Sequence, residues 1–106
     1  MNAQTQVVLC ELRRRLESVY GDRLVRLLLY GSQARGDAEP GSDIDVLVIL
    51  RGAVSPCEEI ARTLSDVSEL SLEHDVVVAC AFLSEDQFDR ERSPFVCNVR
   101  REGISV

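Results

Sequence analysis

Lysine is absent, and all 12 basic side chains are arginine. A P-loop needs its Gly-Lys-Ser/Thr, so that cradle is excluded, as is any reaction through a lysyl-AMP on this chain. A nucleotide would have to be held by other groups. Basic charge is also outweighed, with 18 acidic residues and a formal net charge of −6. That balance argues against a free-standing nucleic-acid binder, whose affinity for phosphate backbones rests on basic surface. Histidine occurs once, as His74, and the four cysteines Cys10, Cys57, Cys80 and Cys97 form no Cys-x-x-Cys pair. Zinc is therefore not expected. Cys10 and Cys80 fall within apolar patterns, and there is neither a run of membrane-spanning length nor a signal peptide. The expectation is reduced, packed thiols in a soluble cytoplasmic protein with no membrane association. With 106 residues, the expectation is a single domain spanning 1–106, too small to carry a separate substrate-binding domain.

The chemistry-bearing residues are concentrated between Leu24 and Leu50. An apolar run from Leu24 to Tyr30 ends at Gly31-Ser32, and a polar stretch punctuated by Gly36, Pro40 and Gly41 leads to Asp43-Ile44-Asp45 and a second apolar run to Leu50. Strand side chains alternate faces, so Asp43 and Asp45 point one way while Ile44 and Val46 point into the opposite layer. Two carboxylates roughly 5–7 Å apart on one face repel unless a cation lies between them, and Mg²⁺ favours such oxygens together with substrate phosphates. Gly31 lacks a Cβ, which lets a phosphate approach the backbone, and Ser32 at the start of a short helix offers hydroxyl and N–H donors. Arg35, one turn further on, adds a planar and permanently charged donor suited to phosphate oxygens. The alternation of Asp37, Glu39, Gly41, Asp43 and Asp45 could be mistaken for a calcium loop, but the glycine and the terminal glutamate of an EF-hand are misplaced.

Gly31-Ser32, Ala34-Arg35-Gly36 and Ser42-Asp43-Ile44-Asp45, in this order and flanked by apolar strands, resemble the signature of the polymerase-beta-type nucleotidyltransferases, most closely their minimal (MNT) branch. The ending, Ser93 to Gly103, is similar to the tail of many MNT proteins, so the resemblance covers nearly the whole chain. It implies an α/β (α+β) core with a mixed sheet of at least three strands and helices packed on it. It further implies an enzyme using ATP and two Mg²⁺ ions, with Asp43, Asp45 and a third acid as catalytic and metal-binding residues and Gly31, Ser32 and Arg35 holding the nucleotide. Members of this branch pair with HEPN toxins and act as antitoxins by transferring AMP to a tyrosine hydroxyl of the toxin, which implies a protein partner and a homo- or hetero-oligomer. The family's third acid sits on the strand after the central helix. Asp75 is the corresponding candidate, and Glu73 shares its strand parity, so either could serve. The competing reading is a catalytically idle subunit that keeps the fold and neutralises its partner by contact.

The remaining segments read as support. Val8, Leu12, Leu16 and Val19 form a helical stripe over residues 4–20 that Gly21 ends. Arg13, Arg14 and Arg15 read as a solvated face. Ser55-Pro56-Cys57-Glu58 predicts a capped helix carrying Ile60, Leu64 and Val67 inward. Asp75 to Phe82 predicts a third core strand, with His74 facing away from the site. Ser84 to Gln87 predicts a second capping box and a short helix carrying Phe88. Ser93-Pro94 opens a last helix with an apolar stripe of Phe95, Val96 and Val99, read as core closure.

Overall fold

The structure is a computed structural model that describes residues 2–36 and 42–106. Residues 37–41, which include the Pro40 and Gly41 turn signals and part of the alternating acidic stretch, lie outside the described residues. The first helix, α1 (Ala3–Tyr20), begins where the Asn2 side chain accepts from the Thr5 backbone N–H and stops where Gly21 adopts φ +55°. It buries Val8, Leu12 and Leu16, as the stripe predicts, together with Leu9 and Tyr20. The run after it forms β1 (Leu24–Tyr30), followed by α2 (Ser32–Arg35) and β2 (Ile44–Leu50). The chain continues through α3 (Pro56–His74), β3 (Val78–Ser84), α4 (Glu85–Arg90), α5 (Pro94–Glu102) and the two-residue β4 (Ile104–Ser105).

The four strands form one mixed sheet in the order β3-β2-β1-β4. β1 pairs antiparallel with both β2 and β4, whereas β2 and β3 run parallel and are joined by α3, as a parallel pair requires a crossover. Because β2 is buried on both faces, its continuous apolar run divides between two cores. Ile44, Val46, Val48 and Leu50 pack with Val8, Leu12, Leu16 and Leu70 from α1 and α3. Leu47 and Ile49 pack with Leu28, Phe88, Val96 and Val99, so α4 and α5 cover the opposite face. Each fully buried Leu or Ile contributes about 1.5–3 kcal/mol relative to exposure. The short helices depend on caps: Ser84 and Gln87 form the reciprocal capping box of α4, and the Ser93 hydroxyl accepts from Val96 N–H at the start of α5.

Four expectations are corrected. On α3, Ile60 and Leu64 are exposed (48% and 58%), and the buried stripe is Glu59, Thr63 and Leu70. The helix is turned by about one residue because buried Glu59 is held by the Tyr20 hydroxyl and by Arg62, both at 2.8 Å. Burying a charge is tolerated only with such partners. The Ser55 side chain makes no cap bond, and Pro56 alone marks that start. β3 begins three residues later than expected, at Val78, because Asp75 ends α3 in the left-handed region and Val76 N–H still bonds back to Ser71. Cys10 is exposed instead of packed, and only Cys80 of the four free thiols is partly buried. No helix among the described residues is long and apolar enough to cross a membrane.

Candidate active site

The site is built where β1 turns into α2 beside the start of β2. Tyr30, the last residue of β1, lies directly across from Asp45. Ile44 and Val46 are buried in the α1/α3 layer, so parity sends Asp45, with Asp43 two residues before it, toward the α4/α5 side. Asp43 is exposed and stands one residue ahead of the strand, while Asp45 is half-buried. Burial raises the pKa of Asp45, and the neighbouring charge of Asp43 raises it further. The two carboxylates thus sense each other as the spacing predicts. A hard cation answers both causes, since it replaces lost solvation and screens the repulsion.

Gly31 is needed here for two reasons. Its φ of +75° lies in the region that favours glycine, and a Cβ at this position would come within 2.6 Å of Asp45 Oδ2. The turn therefore leaves room for the carboxylate as well as for a ligand. Its carbonyl accepts from Ala34 and Arg35 N–H at 3.1 Å each, winding α2 so that Ser32 opens it and Arg35 closes it. Gly36, at φ +80°, ends it. Arg35 pairs with Glu102 at the end of α5, Nη1 to Oε2 3.4 Å.

Gln33 and Tyr30 are members of the site that the spacing did not single out. Gln33 is only 8% exposed. Its side-chain oxygen accepts from the Thr5 hydroxyl, and its amide nitrogen donates to the Ser42 carbonyl, both at 3.4 Å. It thereby ties α2 to α1 and to the backbone just before Asp43. A polar residue inside the Gly-Ser-x-Ala-Arg stretch was the available signal. Tyr30 packs edge-on against Phe95, ring centroids 5.3 Å apart. Burial first, and then the charge of Asp45, push its phenol pKa up.

The third acid is not where strand parity put it. Asp75 is the exposed C-cap of α3 with φ 52° and ψ 49°, and Glu73 lies in the last turn of the helix, 3.7 Å from Arg15. The β3 residue across from Asp45 is Ala79. Asp75 does sit at the same end of the sheet as the pair, since Ile44 N–H bonds to the Val77 carbonyl at 2.9 Å. The helix runs on because Asp75 accepts a left-handed cap, which an acid with a short side chain does more readily than a β-branched residue. His74 faces α1, with Nε2 3.1 Å from Glu11 Oε2, and this contact is the leading cause that lowers the Glu11 pKa. Glu11, Glu73 and His74 could group around a metal. However, Arg15 already sits among these acids and bonds Asp66 and Glu69 as well, which makes the cluster an ion-pair clasp between α1 and α3.

A four-stranded mixed sheet that presents two carboxylates at the start of β2, beside a glycine-serine turn, is the frame of a nucleotidyl-transferring enzyme. The chain belongs to the nucleotidyltransferase domain family, whose model matches residues 9–103. Two proteins of Methanocaldococcus jannaschii, each named "Putative protein adenylyltransferase", are similar to it. MJ0141 is 29% identical over 99 residues, covering 93% of this chain and 95% of that protein. MJ0604 is 34% identical over 89 residues, covering 83% of each. Among solved structures, a chain of a toxin-antitoxin with AMP-PNP aligns with TM-score 0.64 and 21% identity, covering 91% of this chain and 69% of that one. A chain of the tri-AMPylated Shewanella oneidensis HEPN toxin in complex with MNT antitoxin aligns with TM-score 0.60 and 19% identity, covering 95% and 70%. These likenesses establish the same fold.

Proposed function

We propose that this protein is a divalent-cation-dependent protein adenylyltransferase that moves AMP from ATP to a tyrosine hydroxyl of a HEPN-type toxin and so acts as its antitoxin in the cytoplasm. The observation that carries the reaction class is the Asp43/Asp45 pair set beside the Gly31 turn, one carboxylate half-buried and with its pKa raised partly by the other. The names of the archaeal relatives support protein as the acceptor, and the toxin-antitoxin neighbours support the partner. In the reaction, the acceptor hydroxyl gives up its proton to solvent as its oxygen attacks the α-phosphorus, the bond from that phosphorus to the α,β-bridging oxygen breaks, and pyrophosphate departs with the electron pair. A cation, Mg²⁺ by the hardness of the donor set, would be held by Asp43 and Asp45 and would supply charge neutralisation to the triphosphate and the leaving group.

The protein's own residues do the rest. Gly31 leaves the backbone open to the β,γ-phosphates, Ser32 offers its hydroxyl, and Arg35 offers the guanidinium. Gln33 fixes the distance between that turn and Asp43. The third acid and the second ion that the resemblance implies call for a carboxylate facing the pair, whereas Glu73 lies in the last turn of α3 and Asp75 on its cap. We therefore assign the metal site to two carboxylates. The test is incubation with ATP labelled in the α-phosphate, Mg²⁺ and the partner toxin, followed by mapping of the label. Label on a toxin tyrosine, lost in Asp43→Asn and in Asp45→Asn, is the expected result.

Ala79 in place of an acid across from Asp45 favours one second reading, the idle subunit that neutralises by contact alone. In that case the toxin would be silenced with no label transferred, and Asp45→Asn would silence it equally well.

A further inference from the structure

We propose that Glu102 is a positioning residue for Arg35, so that the C-terminal turn from α5 into β4 sets the affinity of the site for its nucleotide triphosphate. This rests on the reading of Arg35 as a phosphate-binding residue. α2 has only four residues, too few to fix the orientation of a long, half-exposed arginine at its last position. Glu102 holds the fork from outside the helix at 3.4 Å, with a side chain only 27% exposed that also pairs with Arg101 at 3.6 Å. A guanidinium carries five N–H donors in one plane, so it can bind a carboxylate and a phosphate oxygen together. Holding the plane in advance reduces the ordering cost on binding.

The location of Glu102 is itself fixed by the fold. Ile104 pairs with Leu29 and Ser105 with Leu28, so the turn out of α5 is held beside the end of β1, next to the start of α2. Val106 N–H bonds to the Leu27 carbonyl at 3.0 Å, and Arg13 bonds the Val106 carbonyl, so the strand is anchored beyond the turn. On the other side Val96 and Val99 bury α5 against the sheet. Between these anchors Gly103 N–H closes onto the Val99 carbonyl at 2.7 Å, where a Cβ would meet that same oxygen at 2.5 Å. Glu102 thus has little freedom in where its backbone sits. The same helix places Phe95 on Tyr30, across from Asp45, so α5 forms one wall of the site.

The experiment measures equilibrium binding of Mg²⁺·ATP and steady-state transfer for wild type, Glu102→Gln, Glu102→Asp, Arg35→Ala and the Glu102→Gln/Arg35→Ala double variant. Arg35→Ala is expected to weaken ATP binding by about tenfold or more, the scale of a lost charge-assisted bond. Glu102→Gln should weaken it by about three- to tenfold, raising the KM for ATP with kcat and the acceptor KM nearly unchanged. Glu102→Asp, which keeps the charge, should recover part of the loss. The double variant should match Arg35→Ala within about twofold, because Glu102 has nothing left to act through. ATP affinity unchanged in Glu102→Gln while Arg35→Ala loses it would overturn the positioning role and leave the phosphate reading intact. Unchanged affinity in Arg35→Ala would overturn both, and tighter ATP binding in Glu102→Gln would make Glu102 a competitor of the phosphates instead.

Discussion

At the scale of single residues, Asp45 carries the most consequence. Its pKa is raised above the ordinary value of 3.8, so the folded protein binds this proton more readily than the unfolded chain does. Stability then falls as pH rises from the unfolded value through the folded one, and the deficit stays at neutral pH. Asp45→Asn removes that deficit. Thermal unfolding at neutral pH should show the variant at least as stable as wild type, with the advantage fading below about pH 4, where both states are protonated. Mg²⁺ should raise the melting temperature of wild type and not of Asp43→Asn or Asp45→Asn. Transfer by either variant should fall by at least about a hundredfold, whereas Asp75→Asn and Glu73→Gln should stay within about tenfold of wild type because neither lies on the strand face with Asp45. A hundredfold loss in Asp75→Asn would return the third carboxylate to the mechanism from its position on the helix cap.

At the scale of elements, α3 shows how one buried hydrogen bond reorients a helix. Its sequence offers two overlapping stripes that share Val67: Ile60 and Leu64 on one side, Glu59, Thr63 and Leu70 on the other. Apolar periodicity favours the first, but buried Tyr20 needs a partner for its hydroxyl, and Glu59 supplies one at 2.8 Å. Thr63 satisfies its own hydroxyl on the Glu59 carbonyl at 2.9 Å, so the polar stripe enters the interior without an orphaned group. The substitutions should therefore contrast sharply in denaturant unfolding. Leu64→Ser is expected to change stability by no more than about 0.5 kcal/mol, and Leu70→Ala to cost about 2–5 kcal/mol. A loss above 2 kcal/mol in Leu64→Ser would show that this face is covered in the folded protein. By contrast, α4 and α5 follow their capping signals closely, although Phe95, expected to close the core with Val96 and Val99, is 39% exposed and packs on Tyr30 at the surface. Their capping residues act within one turn, and Phe88, Val96 and Val99 have no competing polar stripe.

At the scale of the whole molecule, two cores on one sheet bring the ends of the chain together around the site. α1 reaches it through Thr5 and Gln33, and α5 reaches it through Glu102 and Arg35. The net charge of −6 bears on the acceptor. A surface this acidic gives little affinity for a phosphate backbone, so labelling of the partner should be unchanged by ribonuclease treatment, and loss of label on that treatment would make RNA part of the substrate. The sequence by itself determined the strands on either side of the site, the closeness of Asp43 to Asp45, the glycine turn and the short capped helices. These follow from period-two alternation and from residues acting on neighbours a few positions away. The rotation of α3, the extension of that helix to His74, Ala79 across from Asp45, and the contacts of Gln33 and Glu102 were decided only by tertiary structure. Each depends on a partner far along the chain, such as Tyr20 for Glu59, 39 residues away, or Glu102 for Arg35, 67 away. Spacing along a sequence carries no record of which distant groups a sheet will bring within hydrogen-bond reach.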